Sequence, residues 1–220
     1  MPMRSHNGLA RLIAAFYGWL YGEWSWAYDG AVWLVSAGLW QRWALTTERY
    51  LAGDPVVEIG CGRGRLLARL AGHGRAVIGV DCSEQMVRAA QRRLRNAGLP
   101  GNAIAARAQA LPFKTGSVGT LVTTFAGPYV FDPATLEEFA RVLRPDGRWI
   151  LVGEVSPRQR TPRFAAMWAL ALVYRQAGVG PRSITTDLFE LTANDPVPVG
   201  PTTVRVKVLR RSASNSSPGT

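Results

Sequence analysis

Residues 56–66, Val-Val-Glu-Ile-Gly-Cys-Gly-Arg-Gly-Arg-Leu, restrict what this chain can become more than any other stretch. Val56 to Ile59 read as a buried strand. Gly60, Gly62 and Gly64 follow, and Leu66, Leu67 and Leu70 then recur at helical spacing. Strand, glycine-rich turn and helix make the βα unit that brings main chain close to a ligand at the carboxyl end of a sheet. A glycine takes positive φ without strain and lets a bulky ligand approach the backbone. The helix that follows offers unpaired N–H groups at its start. A dinucleotide-binding turn, G-x-G-x-x-G, needs its third glycine at position 65. Here that position is Arg65, and the third glycine is Gly64.

The next apolar run, Ala76 to Val80, is β-prone and ends in Asp81. An acidic residue about 20 residues after a glycine turn stands where a ribose-binding carboxylate belongs. Ser83 is a good N-cap for a helix over Glu84 to Leu94. Asn102 to Arg107 reads as a third strand and Ser117 to Phe125 as a fourth. Asp132-Pro133 opens a helix with Pro in its first turn, and Leu136, Phe139, Ala140 and Leu143 recur along it. Arg141 to Arg148 reads as a turn into a fifth strand, Trp149 to Val155. Phe164 to Ala177 is an apolar helix. Ile184 to Leu191 and Thr202 to Leu209 alternate like the strands of a hairpin.

Several of these stretches resemble the motifs of the class I S-adenosylmethionine-dependent methyltransferases, in the right order. Glu58-Ile59-Gly60-Cys61-Gly62-Arg63-Gly64 resembles motif I of that family. Asp81-Cys82-Ser83-Glu84-Gln85-Met86 resembles its D-x-S-x-x-M segment, and Ala108-Gln109-Ala110-Leu111-Pro112-Phe113 its A-x-x-L-P-F segment. Arg141-Val142-Leu143-Arg144-Pro145-Asp146-Gly147-Arg148 resembles its R-V-L-R-P-G-G-R turn. Tyr28-Asp29, Ser36-Ala37-Gly38 and Trp43 resemble the entry segment of methyltransferases related to the ubiquinone/menaquinone group. Two departures stand out. Arg107 occupies the place of the usual adenine-binding Asp or Asn and has no acceptor. Val118 and Gly119 occupy the place of a usual Phe-Asp.

The resemblance implies an α/β, Rossmann-like three-layer sandwich. Its mostly parallel seven-stranded sheet ends in an antiparallel hairpin, with helices added at the N-terminus. It implies S-adenosylmethionine as cofactor and a small, lipophilic or lipid-like methyl acceptor. Glu58 and the turn of Gly60, Cys61, Gly62 and Gly64 would orient the cofactor's amino-acid end, and Asp81 its ribose. Cys82 and Met86 would flank the adenine, Ala108 and Gln109 would line its edge, and Thr124 would stand where methyl and acceptor meet. No catalytic base is assigned; Tyr28, Asp29, Tyr129 and Asp132 are the polar candidates at the mouth. A protein that binds the cofactor without turnover, and a nicotinamide-dependent oxidoreductase, stay open as alternatives.

Composition bounds the rest. Length and an apolar content of 47% fit one globular domain. Residues 1–52 are expected as a helical cap within it, 53–211 as the methyltransferase domain and 212–220 as a disordered tail. The net charge of +11, from 24 Arg and 2 Lys against 15 acids, favours anionic partners, including acidic membrane at the periphery. The arginines are scattered, and Arg88, Arg92, Arg93 and Arg95 share one helix, which argues against nucleic acid. Two cysteines and two histidines give neither a disulfide framework nor a metal spacing. The expected compartment is cytoplasmic. Leu9 to Leu20 and Ala27 to Ala44 read as tryptophan-rich helices; packing on the sheet, covering the cofactor, or lying in a bilayer interface are three uses for them.

Overall fold

Val56–Ile59 has no exposed face, because both faces of a central parallel strand are covered. The structure, a computed structural model, describes residues 36–158, 164–165 and 187–212. All four residues of this strand, β1, are buried. Val57 and Ile59 join the core that holds Phe139 and Trp149, and Glu58 turns to the opposite face. Among the described residues the other strands are β2 (Val77–Asp81), β3 (Asn102–Ala105), β4 (Val118–Thr124), β5 (Leu143–Pro157), β6 (Phe189–Val199) and β7 (Thr202–Arg211). They form one sheet in the order β3-β2-β1-β4-β5-β7-β6. Pairings from β3 through β5 are parallel; β5 with β7 and β7 with β6 are antiparallel. This is the expected mostly parallel seven-stranded sheet with a terminal hairpin. The strand order reverses beside β1, where α/β sheets open a crevice for ligands.

The described α-helices are α1 (Trp40–Ala44), α2 (Arg65–Gly72), α3 (Glu84–Asn96) and α4 (Pro133–Val142), with 3-10 turns at Leu45–Tyr50 and Pro128–Phe131. Ser83 caps α3, accepting from the Met86 amide at 3.4 Å. Asp132 caps α4, accepting from the Ala134 amide at 3.2 Å, with Pro133 next in the chain. Under α4, Trp149 is fully buried, edge-on to Phe139 (5.1 Å) and Phe189 (5.5 Å). Its indole N–H donates to Thr123 Oγ1 at 2.9 Å, which removes the cost of burying that polar atom.

Several boundaries differ from the sequence reading. Of the helix expected through Ala27–Ala44, residues 27–35 lie outside the described residues; Ala37 (49°) and Gly38 (77°) have positive φ, and α1 begins after them at Trp40. β3 ends at Ala105 rather than Arg107. β5 starts at Leu143: the Arg144–Gly147 stretch is a bulged excursion within the strand, with Leu143 opposite Val118 and Arg148 opposite Thr120. β6 begins at Phe189 and runs through Pro196 and Pro198, which an edge strand tolerates because one row of N–H groups has no strand to meet. The expected helices Leu9 to Leu20 and Phe164 to Ala177, and the expected 212–220 tail, lie outside the described residues apart from Phe164, Ala165 and Ser212, whose N–H donates to Leu188 O. So do Tyr28 and Asp29. The chain divides into two compact units, Gln41–Gln159 with Ser183–Thr220, and Met1–Trp40 with Arg160–Arg182. The account below concerns the first. No described helix is long and apolar enough to cross a membrane.

Residues 50–55 lie across the amino ends of β1 and β4. Thr120 Oγ1 donates to Gly53 O (3.0 Å) and accepts from Ala52 N (3.2 Å). Arg75 and Arg148 donate to the carbonyls of Ala52 and Tyr50. The crossing requires Gly119, where an added Cβ would lie 2.3 Å from the Gly53 carbonyl carbon. Gly119→Ala should therefore destabilise by about 3 kcal/mol or more, since backbone cannot step aside as a side chain can. Urea unfolding beside Gly153→Ala, where a Cβ would meet nothing within 4 Å and φ is not positive, checks that the loss comes from contact.

Candidate active site

The turn after β1 is built from three glycines at positive φ, Gly60 (73°), Gly62 (51°) and Gly64 (68°). The amides of Gly60 and Cys61 both donate to Val80 O, and Gly64 N donates to Cys61 O. Gly62 N donates to Asp81 Oδ2 at 2.9 Å, and Ser83 N donates to Asp81 Oδ1 at 2.9 Å. The turn and the acid expected to share a ligand are thus bonded to one another. The amides of Gly60, Cys61, Gly62 and Gly64 serve the fold itself, so the turn offers shape rather than four free donors. Gly64 is also a packing glycine: a Cβ there would come within 2.8 Å of Ala90 Cβ on α3. A Cβ on Gly62 would meet nothing within 4 Å, so that face of the turn is open.

Glu58 lies beneath this turn and is 4% exposed. Its carboxyl accepts from the Leu67 amide in the first turn of α2, while Oε2 has no hydrogen-bond partner. Burial pushes its pKa from 4.5 up to about 8, a rise that the Leu67 N–H opposes and the Asp81 charge reinforces. Burial also raises Asp81, opposed by the amides of Ser83 and Gly62. Each Asp81 oxygen accepts one amide and keeps lone-pair capacity for a further donor.

The other expected residues fall into two sets. Ala106 N donates to Asp81 O at 3.1 Å, which ties the start of the segment carrying Ala108 and Gln109 to the strand end that bears the acid. Ala108 is buried, and Gln109 Nε2 donates to Asp132 Oδ2 at 3.4 Å. Cys82 is exposed, and burial pushes its thiol up, with Asp81 adding to the rise and the Arg107 charge opposing it. Arg107 itself is exposed. Thr124 is half-buried at the end of β4. Cys61 and Met86, by contrast, turn into the protein. The Cys61 sulfur would lie 2.7 Å from a Cβ added to Gly79, and Met86 is 1% exposed. Burial raises the Cys61 thiol strongly, so it is a packing group rather than a nucleophile.

Beyond Thr124, Phe125 holds φ = 51°, rare for an aromatic residue, and its N–H donates to Val152 O at 2.6 Å. Its ring lies 5.8 Å from the buried ring of Trp43. Trp43 is fixed by its indole N–H to Thr202 Oγ1 at 2.9 Å. On the opposite rim the hydroxyl of Tyr129 would lie 2.8 Å from a Cβ on Gly60. Strand ends, turn and acid therefore meet at one end of the sheet, as the crevice of this topology requires. Among the described residues, no three His, Cys, Asp or Glu side chains group as metal ligands.

A family model described as "Methyltransferase domain" matches residues 56–147. Demethylmenaquinone methyltransferase of Symbiobacterium thermophilum is 31% identical over 177 residues, covering 70% of this chain and 69% of that protein. The chain belongs to the class I S-adenosylmethionine-dependent methyltransferases. Nocamycin O-methyltransferase of Saccharothrix syringae is 36% identical over 110 residues, 48% of this chain and 39% of that protein. The chain thus spans well under half the length of this second relative. A solved geranyl diphosphate methyltransferase in complex with S-adenosylmethionine shares the fold, with a TM-score of 0.57 and 17% identity over 78% of this chain and 85% of that one.

The cofactor of this methyltransferase is S-adenosylmethionine, and the residues present fit it. An ammonium group would satisfy the orphaned Glu58 Oε2, and two hydroxyls would find spare acceptors on Asp81. The Trp43–Phe125 pair and the Phe125 backbone were not anticipated from sequence. They join residues about eighty positions apart, and an aromatic residue carries no local signal for positive φ.

A carboxyl with a higher pKa in the folded than in the unfolded chain holds more protons when folded. Its contribution is complete below pH 4.5 and is lost as pH rises towards about 8. Ligand-free protein should therefore lose stability across that window, and Glu58→Gln should flatten the loss. Urea midpoints from pH 4.5 to 8 check this; equal slopes for both proteins would refute it.

Proposed function

We propose that this methyltransferase transfers a methyl group to a small, lipophilic acceptor that carries a flat aromatic ring. The observation that carries this reading is the Trp43–Phe125 pair at the carboxyl end of β4, beside Thr124. A ring slotted against such a pair gains roughly 0.5–1.5 kcal/mol beyond its area burial, and the wall excludes water from the reacting atoms. The quinone named in the demethylmenaquinone methyltransferase relative is an acceptor of this class. A basic surface would favour delivery of such an acceptor from an acidic membrane.

In this reading Glu58 takes the cofactor's ammonium, Asp81 its ribose hydroxyls, and Ala108 and Gln109 the adenine edge, with Cys82 beside the ring; Met86, expected there too, is buried in the protein. The cofactor supplies an electrophilic methyl on a sulfonium. The protein's part is to align donor and acceptor in a dry pocket, which can supply most of the rate. No side chain is assigned as base. Asp132 is engaged with Ala134 and Gln109. Tyr129 stands over the turn as the polar group at the mouth.

Calorimetry with S-adenosylmethionine and S-adenosylhomocysteine should give clear binding to wild type. Asp81→Ala should lose about 1–3 kcal/mol for both ligands, from hydroxyls left unpaired. Unchanged affinity would remove Asp81 from the site. Radiolabelled methyl transfer to aromatic quinols and to aliphatic alcohols, offered in anionic and in neutral vesicles, tests the acceptor. Transfer confined to the quinols, with the acceptor KM raised roughly 3- to 10-fold in Phe125→Leu, is expected. Equal use of the aliphatic alcohols would reject the aromatic reading, and equal rates in both vesicles the membrane one.

A further inference from the structure

The segment between β3 and β4 that carries Ala108 and Gln109 pairs with no strand. Backbone of this kind needs another source of order if it is to hold a ligand edge. That source is α4. Arg141, in its last turn, donates from Nη1 to Phe113 O (2.8 Å) and from Nη2 to Leu111 O (3.0 Å). The same guanidinium forms a forked pair with Glu138 one turn earlier, Nε to Oε2 and Nη2 to Oε1, both 2.7 Å. Glu138 Oε1 also accepts from Leu111 N at 2.7 Å. Leu111 is therefore gripped at both its N–H and its C=O by one ion pair. The amino end of the same helix holds Gln109 through Asp132. Arg141 also reaches Thr115 Oγ1 at 3.5 Å.

These bonds hold backbone atoms, so they fix where the segment lies whatever side chains it carries. A bidentate guanidinium–carboxylate pair is geometrically demanding, and charge-assisted bonds are about twice as strong as neutral ones. The pair is only partly exposed, with side-chain exposure of 36% for Arg141 and 15% for Glu138. Its bonding holds the Glu138 carboxyl below the usual carboxylate range, first through Arg141 and opposed by burial.

We infer that Glu138 and Arg141 are positioning residues for the adenine end of the cofactor: they clamp the Ala108–Phe113 segment to α4 at the distance the adenine edge requires. Neither side chain needs to touch the cofactor. The inference rests on the reading of Ala108 and Gln109 as that edge. A strut that acts only on the adenine end alters ground-state and transition-state binding alike, so it moves KM and leaves kcat.

The test compares wild type with Arg141→Gln, Arg141→Lys and Glu138→Gln. Each is measured for melting temperature, for Kd of S-adenosylhomocysteine and S-inosylhomocysteine, and for kcat and cofactor KM. Arg141→Gln should weaken S-adenosylhomocysteine and raise the S-adenosylmethionine KM by a similar factor of about ten, from lost charge-assisted bonds. Its kcat should stay within about twofold of wild type. The preference for adenine over hypoxanthine should shrink, a change that general loosening of the fold would not single out. Arg141→Lys should not rescue, because one ammonium cannot replace the planar fork. Should Arg141→Gln fail to fold, Glu138→Gln carries the same comparison. A folded variant with wild-type Kd and base preference would overturn the clamp alone. Wild type that binds neither nucleoside would overturn the reading of the cofactor site and the clamp with it.

Discussion

The bond from Gly62 N to Asp81 Oδ2 is the contact on which the rest of the site depends. It ties the turn after β1 to the end of β2, so two βα units share one edge. It asks for a glycine that can turn its amide at φ = 51°, and for an acid at the last position of the next strand. The parallel register of β1 on β2 brings both to the same level, Ile59 opposite Val80. Gly60 and Cys61 then close on Val80 O, and Gly64 lets α2 and α3 approach at Ala90. Each glycine has a separate cause, and the causes agree.

That agreement makes this region readable from residues alone. Strand, turn, acid and capped helix lie within about thirty positions, and each is signalled by local chemistry. Ser83 and Asp132 cap as their residue types predict. The hairpin was legible in kind but misplaced in extent. Asn194, Asp195, Pro196 and Pro198 look like breakers, yet an edge strand admits them. The positive φ at Ala37 escaped notice because alanine is a strong helix former, and only neighbouring structure forces it there.

Arg141 shows a different limit. In sequence it belongs to a turn motif, and that reading is fair for Pro145 to Gly147. Its guanidinium, however, bonds carbonyls 28 and 30 residues earlier. Nothing in a one-dimensional pattern reports such reach, since an exposed-looking arginine near a helix end is usually a solvated charge. The same holds for Trp43, whose indole partner is Thr202, 159 positions away. Local signals describe the floor of the site, and long-range contacts supply its walls.

The crossing of Gly119 over Gly53 carries a consequence for anyone engineering this enzyme by averaging over its relatives. Position 119 departs from the residue usual in the family, and consensus design would restore the acid. Main chain meets main chain there, with 2.4 Å between an added Cβ and the Gly53 carbonyl oxygen. The majority residue would wedge apart the seam it is meant to improve. The approach of residues 50–55 and the glycine at 119 form one packing unit, and a larger residue at 119 needs the 50–55 segment moved with it.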